Sequence, residues 1–131
     1  MHPIALCLHE KPGATPHLDL FLGPSVPFGE DDRVLHTWRL PRSPMDLSRS
    51  ECIPIEALGL HRGRYVHLNA PVVPSSGVGR VRPLLQGQAK VTEQAGCVRD
   101  LEIRWTEGTT CHLTLAPGEL KRLDGHPVES R

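Results

Sequence analysis

Aromatic residues are scarce in this chain of 131: two Trp, two Phe and one Tyr. A core with so few large rings must be filled by aliphatic side chains. Lysine is scarcer still, with 3 against 12 arginines. Basic and acidic residues balance at 15 each, so no net charge excludes a whole-molecule field that would draw in a polyanion. No segment approaches the ~20 consecutive apolar residues of a helical membrane span. The N-terminus lacks the basic start of a secretory leader, and its apolar run, Ile4 to Leu8, is short. Cys7, Cys52, Cys97 and Cys111 form no CxxC pair. Together these absences lead us to expect a soluble cytoplasmic protein with reduced thiols and no membrane partner.

Turn formers, in contrast, are plentiful. Gly (12) and Pro (13) make up about a fifth of the chain, which favours many short elements over a few long helices. Strand signals recur at 4–9 (IALCLH), 17–22 (HLDLFL), 33–40 (RVLHTWRL), 64–70 (RYVHLNA), 78–85, 88–94, 98–105, 110–116 and 119–125, with EQAG, TEGT and APGE as turns between the later ones. One helical turn is expected after Pro54 in IPIEALGL, residues 53–60. Residues 23–32 and 42–51 read as loops, the first as a mobile one. With no repeat and no linker, the expectation is a single all-β domain over 1–131: a small, curved, mostly antiparallel β-barrel with one short helical turn, a shape that limits exposed edges.

Chemistry gathers near the N-terminus. His17 and Asp19 share one face of a strand, and Leu18, Leu20 and Leu22 share the other. The leucine face is expected to be buried and the His17–Asp19–Phe21 face to be the working surface. A hairpin through EKPGATP would bring His9 beside His17. Two imidazoles and a carboxylate are a ligand set for Mn²⁺ or Zn²⁺ that leaves coordination positions open; solvated strand residues are the plain alternative. Residues 33–64 also concentrate arginine (Arg33, Arg39, Arg42, Arg49, Arg62 and Arg64) against Asp46, Glu51 and Glu56, and the planar guanidinium fork suits phosphate. His36, His67 and His112 read as ordinary strand histidines, and Trp38 as core. No ligand knuckle supports a zinc site among the cysteines.

The strand with His9, His17 and Asp19, the segment LHTWRLPRSP (35–44) and the segment PIEALGLHRGRYVHLNAPV (54–72) together resemble the 3′-phosphoesterase domain of bacterial DNA ligase D, above all its short stand-alone relatives. Trp38, Pro41 and Arg42 match the Trp-x-x-Pro-Lys/Arg motif. His61 and Tyr65 match a His-x-x-x-Tyr spacing, and GVGRV (77–81) matches the start of a later hairpin. The likeness covers roughly residues 4–92; beyond that only strand pattern continues it.

The resemblance implies a curved barrel with its site in the concave mouth. It implies metal-dependent removal of a 3′-terminal ribonucleoside or phosphate from DNA ends or RNA-tailed primer termini, in non-homologous end joining beside a ligase or polymerase. On that reading His9, His17 and Asp19 hold Mn²⁺, with Zn²⁺ as the other choice. Arg42 clamps phosphate, His61 serves as acid or transition-state stabiliser, and Tyr65 donates a hydrogen bond to a phosphate oxygen; Tyr65 as a core ring is its alternative. The chain departs from the family at Phe21, where the ligase domains carry arginine, at Ile53 (arginine) and at Leu60 (aspartate), and in its longer His9–His17 linker. Phe21 would then offer an apolar surface to a base or sugar, and Arg62 or Arg64 would supply the missing charge. Two other functions fit the same residues: a non-catalytic or weakly catalytic module binding phosphate or a DNA end, and a small-molecule phosphoesterase.

Overall fold

The computed structural model describes residues 1–74 and 77–128. Among these residues nine strands run antiparallel to their neighbours in one sheet. They are β1 (His2–Glu10), β2 (His17–Leu22), β3 (Arg33–Leu40), β4 (Cys52–Pro54), β5 (Glu56–Arg62), β6 (Arg80–Gln94), β7 (Val98–Trp105), β8 (Thr110–Ala116) and β9 (Glu119–Arg122). Their order is β4-β9-β8-β7-β6-β1-β2-β3-β5. The two edge strands, β4 and β5, are separated by Ile55 alone. That one-residue link forces the sheet to curl until its edges meet, giving the nearly closed, barrel-like sheet expected of so short-stranded a chain.

Two devices produce the curl. β6 is long enough to pair β1 with its first half and β7 with its second. Within the β1 ladder the register slips, Leu6 facing Leu85 but Cys7 facing Pro83. Proline donates no ladder hydrogen bond, so a bulge is where it is tolerated, and the bulge bends the strand. The seam is then sewn by Arg122. Its buried guanidinium donates from Nη1 to the carbonyls of Met45 and Leu47, each at 3.1 Å, and from Nε to Asp124 at 3.1 Å. The receiving segment is a 3₁₀ turn, Pro44–Asp46, capped by the Ser43 hydroxyl and started by proline.

Alternation along the strands divides the apolar residues between two cores. Leu20 and Leu22 of β2 enter the main core with Ile4, Leu6, Trp38, Leu40, Trp105 and the β7–β9 aliphatics. The opposite face of β1–β2–β3 carries Ala5, Cys7, Phe21 and Leu35 into a smaller core, closed by Tyr65, Val66 and Leu68. The leucine face is buried as expected, but Phe21 is buried as well. Both faces of β1 are covered, which is why IALC is a continuous apolar run rather than an alternating one.

Three local expectations are corrected. Residues 53–60 hold no helical turn; they supply the end of β4 and most of β5, because Glu56, Ala57 and Leu58 pair with Arg39, Trp38 and Thr37. Residues 64–70 are not a strand. They begin in a second 3₁₀ turn, Gly63–Val66, laid across the smaller core. Gly63 permits that approach: a Cβ there would fall 2.5 Å from the Gly29 carbonyl oxygen and from the Phe28 ring. The 23–32 loop is pinned, not loose. Phe28 stacks on His67, Asp32 accepts from the Gly29 amide, and the Glu30 and Asp32 carbonyls accept from Arg64 and Gly63. No helix among the described residues is long and apolar enough to cross a membrane.

Candidate metal centre and phosphate cleft

The β1–β2 hairpin sets His9 directly opposite His17, and Cys7 opposite Asp19. Directly paired residues point to the same face, so both imidazoles and the carboxylate converge there. The two rings meet edge to face with centroids 4.8 Å apart. His17 Nε2 lies 3.5 Å from Asp19 Oδ1, and His9 Nδ1 lies 3.9 Å from Asp19 Oδ2. One ligand atom from each of the three residues falls within 4.8 Å of the others, the single such cluster among the described residues. This is the convergence expected from the spacing. Its face is the one turned away from the main core, beside the 63–74 segment, rather than the barrel's packed interior.

The residues fit a divalent cation on their own terms. Among the described residues His9 Nε2, His17 Nε2 and Asp19 Oδ1 are buried and have no hydrogen-bond partner. Such atoms cost free energy unless something fills their lone pairs. Burial pushes the His17 imidazole down to about 4, helped by the Arg39 charge, and it lowers His9 too. A hydrogen bond with the Val78 backbone opposes the His9 shift. Burial pushes the Asp19 carboxyl up to about 6, with Arg39 and Lys11 pulling the other way. The imidazoles are thus kept neutral, as metal ligands must be, and the carboxylate lacks the positive charge that a cation would bring.

A cleft of about 430 Å³ opens from the cluster. His9, Asp19, Phe21, Arg33, His61, Arg62 and Tyr65 line it, with Pro74 and Val81 at its edge. His61 and Arg62 are consecutive, and a regular strand would send them to opposite faces. The β3–β5 ladder slips twice here: Thr37 faces Leu58, Leu35 faces His61 and Arg33 faces Arg62. These bulges twist β5 so that both side chains reach the cleft. His61 Nδ1 is 2.8 Å from the Gly59 carbonyl oxygen. A carbonyl only accepts, so the proton sits on Nδ1, and Nε2 is the nitrogen left for chemistry. Phe21 forms the floor. It is 1% exposed, lies 5.3 Å from the Tyr65 ring at an interplanar angle of 14°, and meets His61 edge-on at 5.5 Å.

Seven of the nine expected site residues are therefore brought together: His9, His17, Asp19, Phe21, His61, Arg62 and Tyr65. Phe21 is corrected from an exposed stacking surface to a buried floor, because Tyr65 already covers its ring. Arg42 and Arg64 stand elsewhere. Arg42 donates to Glu51 Oε2 at 2.6 Å and to the Asp46 carbonyl at 3.2 Å, holding the 42–51 loop. Arg64 pairs with Asp31 outside the cleft lining. Arg33, in the sequence only one of six arginines between residues 33 and 64, lines the cleft opposite Arg62; the bulged register sets it apart from the rest. No protein-family model matches the chain, and no curated protein matches it.

Proposed function

We propose that this chain is a divalent-metal-dependent phosphoesterase that processes 3′ ends of nucleic acid, removing a terminal ribonucleoside or phosphate. One observation carries the reading: three buried ligand atoms on His9, His17 and Asp19, without a hydrogen bond among the described residues, border a cleft whose walls carry Arg33, Arg62 and His61. Phosphoryl hydrolysis needs charge neutralised on the non-bridging oxygens, an activated water and a protonated leaving group. His9, His17 and Asp19 would hold Mn²⁺, which supplies Lewis acidity and a bound water of lowered pKa. Arg62 and Arg33 meet the phosphate with permanent charge. His61, its Nδ1 proton fixed by Gly59, presents Nε2 to carry a proton to the leaving oxygen. Phe21 and Tyr65 wall the site with apolar surface, which strengthens each charge contact within it. The likeness of the His-x-Asp strand, Trp38–Arg42 and His61–Tyr65 to the ligase D phosphoesterase domains supports this choice of substrate. It also suggests cytoplasmic work beside an end-joining ligase or polymerase.

A second reading, a module that binds terminal phosphate without cleaving it, is favoured by the engagement of Arg42 with Glu51, which leaves the cleft one cation short of the expected set. One experiment separates the two. A labelled primer–template ending in a ribonucleotide or a 3′-phosphate is incubated with and without Mn²⁺ and resolved on a gel. Conversion to a 3′-hydroxyl product, abolished by Asp19→Ala, supports the enzyme. Retention of the end with no product supports the binding module.

A further inference from the structure

Arg39 lies on β3 directly opposite Asp19, on the same face and on the far side of Asp19 from β1. Glu56 is its register partner on the other flank. With a carboxylate on each neighbouring strand, an arginine would ordinarily fork onto one of them. Arg39 does neither: among the described residues it makes no ion pair, and its Nε is buried without a hydrogen-bond partner. Cross-strand partners have Cβ atoms about 5 Å apart, so its charge is felt at the cluster, where it acts on Asp19, His17 and His9.

That placement is a puzzle for a bare cation site. A fixed guanidinium beside two imidazoles and one carboxylate repels a divalent ion and weakens its binding. The repulsion turns to advantage only when an anion is shared between the ion and the arginine. We infer that Arg39 contacts a phosphate bound at the His9–His17–Asp19 cluster and so supplies the charge that Phe21 does not. The inference rests on the metal reading above and extends it. Metal and phosphate should then bind with positive coupling, and Arg39 should carry that coupling.

The test is calorimetric titration of Mn²⁺ into the full chain, with and without about 1 mM inorganic phosphate, at ionic strength matched with chloride and corrected for Mn²⁺ complexed by phosphate in solution. In the wild-type protein phosphate should tighten Mn²⁺ binding by roughly 5–50-fold. Arg39→Gln should bind Mn²⁺ in chloride at least as tightly as wild type, since a like charge is gone, while the phosphate effect falls to about twofold or less. Arg39→Lys, which keeps the charge but loses the fork, should lie between and guards against a folding defect in the first variant. Wild-type coupling that survives intact in Arg39→Gln, or wild-type Mn²⁺ binding indifferent to phosphate, overturns the role of Arg39 and leaves the metal centre standing. A wild-type chain that binds no Mn²⁺ overturns the metal centre and this inference with it.

Discussion

Phe21 and Tyr65 lie nearly parallel, 5.3 Å between ring centroids, and their stack ties the Gly63–Val66 turn to the floor of the cleft. The packing decides what the Phe21 position can do. Phe21→Ala should cost about 3–5 kcal/mol of stability. Phe21→Arg, which would mimic the ligase D domains by sequence, should cost at least as much, because it buries a guanidinium against Tyr65, Leu35 and Val66. It should not accelerate cleavage. Urea denaturation of both variants checks this; a Phe21→Arg protein within about 0.5 kcal/mol of wild type would contradict it.

His61 is expected to act in chemistry and not in ion binding. It lines the cleft but is absent from the ligand cluster. His61→Ala should lower the cleavage rate by about 10²–10⁴-fold while Mn²⁺ affinity stays within about twofold of wild type. Single-turnover kinetics at saturating Mn²⁺, paired with a binding titration, measures both.

The four free cysteines should separate cleanly by reactivity. Burial pushes the Cys7 thiol up to about 12, with the Asp19 charge adding to the shift, and burial pushes Cys111 up to about 12. Cys52 and Cys97 are exposed. Since the thiolate is the nucleophile, iodoacetamide at pH 8 should label Cys97 and Cys52 in the folded protein, and Cys7 and Cys111 only after denaturation. Mass spectrometry of tryptic peptides reads the pattern.

Asp124 should give the seam a measurable acid sensitivity. Burial alone would raise its carboxyl, but the His112 amide at 3.0 Å and the Arg122 guanidinium hold it below its ordinary 3.8. A lowered pKa in the folded state means that its contribution is present above 3.8 and is lost as the pH falls through the folded value. The carboxylate is partly exposed, so the amount is small, about 1 kcal/mol or less. Asp124→Asn should be less stable than wild type at pH 7 and should lose less of its stability between pH 4 and pH 2.5. Thermal melts across that range test the sign.

Much of this was legible in the chain, and the reasons it was legible are physical. The parity of His17, Asp19 and Phe21 against three leucines fixes one face of β2 without any tertiary knowledge, and a hairpin between His9 and His17 can bring them opposite each other. What parity cannot supply is register across non-adjacent segments. Arg39 is found beside Asp19, and Arg33 beside Arg62, only through the β2–β3–β5 ladder. The bulges that turn both His61 and Arg62 into the cleft leave no periodic trace. The apolar spacing of IPIEALGL suits a helical turn as well as an edge strand, and pairing with β3 decided for the strand. The run RYVHLNA has strand composition, yet the need to cover Phe21 bent it into a 3₁₀ turn that Gly63 permits. Arg42 fits a phosphate motif, but Glu51 nine residues later captures it.

The measurement closest to the central claim is an electron paramagnetic resonance titration of Mn²⁺, in which the six-line signal of free ion disappears on binding. Wild-type protein in excess should remove the signal up to one ion per chain, and Asp19→Ala and His17→Ala at equal concentration should leave it almost whole. A full free-ion signal in the presence of excess wild-type protein, or equal loss of signal with Asp19→Ala, would contradict the account.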